Sequence, residues 1–74
     1  QLAEETETPE AYDDLAAEYY NLGLFCQQGE VKYQCFTIAL SIWDDLAEQY
    51  PDVPEYAERR DLALEALENC DAPS

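Results

Sequence analysis

The chain lacks histidine and methionine altogether, and it carries only three basic residues and two glycines. Without histidine it loses the side chain most used as a general base, a nucleophile's activator or a metal ligand. No Cys-x-x-Cys pair occurs either, so neither a zinc centre nor an activated thiol is expected; the acidic surroundings would raise a thiol's pKa. Three cations against eighteen acidic residues leave a formal charge of −15. Such a surface repels nucleic-acid phosphates and anionic lipid, which removes both as partners. No apolar run is long enough to cross a bilayer, so membrane insertion is not expected. No Asp-x-Asp-x-Asp-Gly loop is present, which limits calcium to weak surface binding of divalent cations without a defined site and leaves no cofactor to expect. Paired acids such as Glu4-Glu5, Asp13-Asp14 and Asp44-Asp45 follow from composition alone. No catalytic residue is assigned, and an enzyme is not expected. The missing methionine makes Gln1 a poor translational start, which points to a processed product or an excised domain. A removed leader would place the chain in an extracellular, oxidising compartment.

What is present is apolar and aromatic: 47% hydrophobic residues, with six tyrosines, two phenylalanines and one tryptophan in 74 residues. That is enough apolar surface to offset chain entropy, so the chain folds. A domain this short buries only about 60% of its unfolded surface, and such scaffolds need a staple: disulfides, metal or self-association.

Hydrophobic spacing predicts three helices. In the first, Thr8 caps, Pro9 takes the first helical position, and Tyr12, Leu15, Ala16, Tyr19, Leu22 and Cys26 form one apolar face, with Gly29 ending the helix. The second, from Glu30 to Tyr50, packs through Cys35 or Phe36, Ala39, Trp43, Leu46, Ala47 and Tyr50 and is stopped by Pro51. Ile38 and Ile42 widen its greasy surface, which then needs two neighbours. Asp52 caps the third, which opens at Pro54 and packs through Ala57, Ala63, Leu64, Leu67 and Cys70. Turns of a few residues make neighbouring helices antiparallel, so the fold class is all-α. The expected organisation is a flexible acidic N-terminus at residues 1–8, one helical domain at 9–70 and a C-terminal tail at 71–74.

The first and third helices both open with Pro-Glu, and Pro9 and Pro54 stand 45 residues apart. At the same step Leu22 matches Leu67 and Phe25 matches Cys70. With "YYNLG" at Tyr19 to Gly23, "FTIALSI" at Phe36 to Ile42 and "LAEQYPDVPEYAERRDLALEAL" across the junction, the chain resembles the tetratricopeptide-repeat family. It is closest in pattern to that family's longer repeats. The resemblance covers most of residues 9–68 and implies one helical hairpin plus the first helix of a second repeat. It implies a scaffold for protein contacts with no catalytic residues.

The cysteines are expected to supply the staple. With the lower helix ends level, a rise of about 1.5 Å per residue places Cys26, Cys35 and Cys70 within about 3 Å of one height at the hairpin tip. Facing positions on adjacent helices suit disulfide geometry. Cys26–Cys35 would contribute roughly 2.5–3 kcal/mol, and a bond from Cys70 to either about 4 kcal/mol. The third cysteine would be left free or would link two chains.

Tyr19 and Tyr20 are adjacent, point about 100° apart and cannot share one core. Together with Phe25, Ile38, Ile42, Tyr56, Leu64 and Leu67 they are candidates for a contact surface, tyrosine bringing area at little entropic cost. A third helix without its own mate is expected to pack on another copy of the chain, giving a secreted, self-associating structural subunit that builds rings or filaments. The alternative is a module that binds a peptide or a basic partner, cut from a longer repeat protein.

Overall fold

Thr8 holds an extended backbone, and its hydroxyl accepts a hydrogen bond from the Ala11 amide at 3.2 Å. That cap, with Pro9 in the first turn, starts α1, which runs Pro9–Phe25. The computed structural model describes residues 8–70, and two further helices follow: α2, Gly29–Gln49, and α3, Pro54–Asn69. No strand occurs among the described residues, and the chain is all-α. Of the expected N-terminal segment at 1–8, residues 1–7 lie outside the described residues, as does the expected tail at 71–74.

Two boundaries differ from expectation. Gly29 does not end α1: Cys26 caps that helix through its amide to the Leu22 carbonyl, and Gly29 is the first residue of α2 with no positive φ. The turn is therefore only residues 26–28, and it runs through extended backbone at Cys26 and Gln28. Asp52 does not cap α3 either; Val53 occupies that position, and no side chain accepts there. Pro54 at the first turn lacks an amide hydrogen, which leaves one donor fewer to satisfy.

The middle helix, α2, packs against α1 on one side and α3 on the other. Cys35, Phe36, Ala39, Trp43 and Leu46 of α2 are all buried, so both of the alternatives at 35 and 36 face inward. The flanking helices meet it through small residues, Ala16 and Gly23 on α1 and Ala63 on α3. Small residues at the crossing let backbones approach closely and leave the volume to aromatic rings from α2. Phe36 lies beside Gly23, and Tyr20 packs its ring 5.5 Å from Phe36 and 5.8 Å from Trp43, centroid to centroid.

This close approach turns α1 away from its expected face. Tyr12, Leu15 and Leu22, placed inside by spacing, are exposed, while Gly23 joins Ala16 on the inner line. On α3 the rotation runs the same way: Tyr56 is buried and Leu64 is exposed.

Candidate functional site

Asp13 stands at the end of the molecule opposite the hairpin tip and ties all three helices together. Trp43 Nε1 of α2 donates to Asp13 Oδ1 at 2.7 Å, and Arg59 Nη1 of α3 donates to Asp13 Oδ2 at 2.7 Å. A hydrogen bond to a charged acceptor contributes about 1.5–3 kcal/mol. The ion pair adds less, because Arg59's side chain is 40% exposed and solvent screens it. Next to this clasp, burial pushes the Tyr56 phenol above its usual pKa, with the Glu10 and Asp13 carboxylates adding to the effect.

The three cations of the chain are all engaged within it. Besides Arg59, Arg60 lies 3.9 Å from Asp44 and 3.5 Å from Asp61, and the Lys32 ammonium sits 5.5 Å above the Phe36 ring. At the tip, α1 and α3 diverge over α2 and leave an open groove of about 520 Å³, with Phe36 and Lys32 at its floor and Leu24, Leu62 and Glu65 on its walls. A second cleft of about 420 Å³ lies between the start of α1 and the end of α2, where Tyr12 meets Ile42, Asp45 and Gln49.

That second cleft opens beside a row of apolar side chains on each of the two helices. At about 100° per residue, Tyr12, Leu15, Tyr19 and Leu22 fall within about 80° on α1, and Val31, Ile38 and Ile42 within about 40° on α2. The Tyr12–Ile42 cleft shows that these two rows adjoin. Asp44, which reaches toward Arg60, lies on the other side of α2, so this edge faces away from α3. Leu15 is 41% exposed, Leu22 58%, Val31 40% and Ile38 40%. Phe25, close to the tip, is 83% exposed.

The expected contact residues are thus divided by the fold. Phe25 is exposed near the tip, Ile38 is exposed and Tyr19 and Ile42 half-buried along the α1/α2 edge, and on α3 Leu64 is exposed and Leu67 half-buried. Tyr20 is half-buried against the core rings. Tyr56 is withdrawn from the surface altogether, its ring 6.2 Å from that of Tyr50. Asp13 and Lys32 carry no signal in the sequence, since each is one charge on an ordinary helix.

No disulfide forms among Cys26, Cys35 and Cys70, and none of them stands at bonding distance from another. Similar height is not sufficient for a bond, which also needs Cβ atoms about 3.5–4.5 Å apart. Cys26 caps α1 at the tip, its thiol donating to the Gln28 carbonyl at 3.6 Å. Cys35 lies six residues beyond the start of α2, which sets it about 9 Å below the tip. Cys70 is across the groove that separates α3 from α1. The staple expected from sulfur is instead the Asp13 clasp.

Among the described residues no cluster of Cys, Asp or Glu could hold a metal ion, and no helix is long and apolar enough to cross a membrane. No family model, curated protein or solved structure matches this chain, so the tetratricopeptide pattern stands as a resemblance carried by its own residues.

Proposed function

We propose that this chain is a non-catalytic, tetratricopeptide-like protein-contact module whose open α1/α2 edge receives a helix from a partner. One observation carries the reading: Leu15, Leu22, Val31 and Ile38 remain exposed in two adjoining rows rather than scattered singly. A greasy row on a helix is stable when another element covers it, and contiguous exposed rows mark contact surfaces.

Self-association is the second reading, and Leu64 on the far edge favours it, because two unlike apolar edges on one molecule allow head-to-tail stacking into rings or filaments. Charge opposes it, since copies at −15 repel one another. An extracellular address rests on the sequence alone, because no disulfide joins the cysteines to support it.

Nile red, an uncharged dye, reports an open apolar edge directly. The native chain is expected to bind and brighten it, and the double variant Leu22→Asp, Ile38→Asp to lose most of that signal while keeping its helical circular dichroism. Native chain that leaves the dye dark would refute the reading. Sedimentation across a wide concentration range separates the two forms: a monomer throughout supports the partner module, and a ladder of species supports the self-stacking subunit.

A further inference from the structure

We infer that the partner of the α1/α2 edge is a cationic amphipathic helix, an inference that rests on the contact-module reading and names its partner's chemistry. The apolar rows of this edge are flanked by acids. Glu18 lies between Leu15 and Leu22 at helical spacing, Asp14 precedes Leu15, and Asp45 follows Ile42 by three residues; all three are exposed. No base balances them, because the chain has only Lys32, Arg59 and Arg60. Lys32 is held over Phe36 in the groove, Arg59 is bound to Asp13, and Arg60 stands by Asp44 on the opposite side of α2.

A second copy of this chain would bring more carboxylates to the same rim, and an acidic or neutral helix would leave the rim unpaired. A helix with an apolar stripe between rows of lysine or arginine satisfies both the rows and their rim. The stripe covers Leu15, Leu22, Val31, Ile38 and Ile42, while the flanking cations meet Asp14, Glu18 and Asp45. The apolar contact supplies affinity, and the charges set partner choice and on-rate. From Val31 to Ile42 the row is about 17 Å long, so a partner helix of about three to four turns covers it.

The test uses capped synthetic helices of about 16 residues: a leucine/lysine amphipathic peptide, its leucine/glutamate counterpart, and a scrambled leucine/lysine peptide of the same composition without a stripe. Binding is read by calorimetry and by amide shifts of the isotope-labelled chain. The leucine/lysine helix is expected to bind one to one and to move the amides around Leu15, Leu22, Val31, Ile38 and Ile42. Its affinity should fall by at least about tenfold in about 0.5 M salt, because exposed charge pairs are screened. Leu22→Asp with Ile38→Asp should weaken it by a similar factor, and so should Asp14→Asn, Glu18→Gln and Asp45→Asn combined, whereas Leu64→Asp on the far edge should not. Equal binding of the scrambled peptide, or shifts centred on the Phe36 groove, would overturn the inference. Equal binding of both amphipathic helices at this edge would also overturn it, while leaving the contact module standing. A dark dye together with no peptide binding would remove both.

Discussion

At Gly23 a side-chain methyl would stand 2.7 Å from Phe36 Cε1 and 3.0 Å from two further ring carbons. The Phe36 ring is only 2% exposed, so it has little room to move aside. Overpacking of this kind costs about 1–3 kcal/mol, against a helix-propensity gain of about 1 kcal/mol for replacing glycine by alanine. Gly23→Ala is therefore expected to destabilise the chain by about 1 kcal/mol, read as a lower urea midpoint. An unchanged or higher midpoint would mean the ring yields. Gly23 is legible in the sequence as part of the "NLG" stretch, but the ring that demands it is not, since nothing local pairs residue 23 with residue 36. Thr8 and Pro9 are the contrasting case. Their roles depend on neighbours three residues away, and spacing alone located that helix start.

Among the elements, three helices and their order follow from periodicity and prolines, whereas their rotation does not. Spacing selects the face with most apolar residues, and on α1 that is Tyr12, Leu15, Ala16, Tyr19, Leu22 and Cys26. The structure keeps Ala16 inside, adds Gly23 and leaves Tyr12, Leu15 and Leu22 exposed, because close approach to α2 and the reach of Asp13 to Trp43 favour the small-residue face. The clasp then carries weight beyond one contact. Asp13→Ala would leave the buried Trp43 N–H without its acceptor and is expected to cost about 2 kcal/mol. Asp13→Asn keeps an acceptor, loses only a partly exposed ion pair and should cost under about 1 kcal/mol. Urea denaturation followed by Trp43 fluorescence compares the two; equal costs would mean the tryptophan bond contributes little. The sulfur pairing depended on contacts of the same non-local kind: Cys26 caps α1 at the turn, whereas Cys35 is buried six residues into α2.

Over the whole molecule, the chain carries eighteen acids against three cations, and the structure's radius of gyration is 12.8 Å. That size compares with the Debye length of about 10 Å at 0.1 M salt, so at low salt most of the charges act on one another. Three internal cation contacts cannot balance this repulsion. Raising salt from about 20 mM to about 0.5 M is expected to stabilise the fold by about 1 kcal/mol, a rise of about 4–8 °C in melting temperature by circular dichroism. A falling melting temperature would mean that the Asp13–Arg59 and Asp44–Arg60 pairs outweigh the net charge. By itself the sequence determined the helical class, the helix starts at Pro9 and Pro54, and the acidic character, because these depend on local spacing, capping and summed charge. Only the tertiary structure decided which apolar residues stay outside, where each cation is tied, and that the thiols stand apart. Those outcomes depend on how one helix rolls and slides against another, and contacts distant in sequence set that motion.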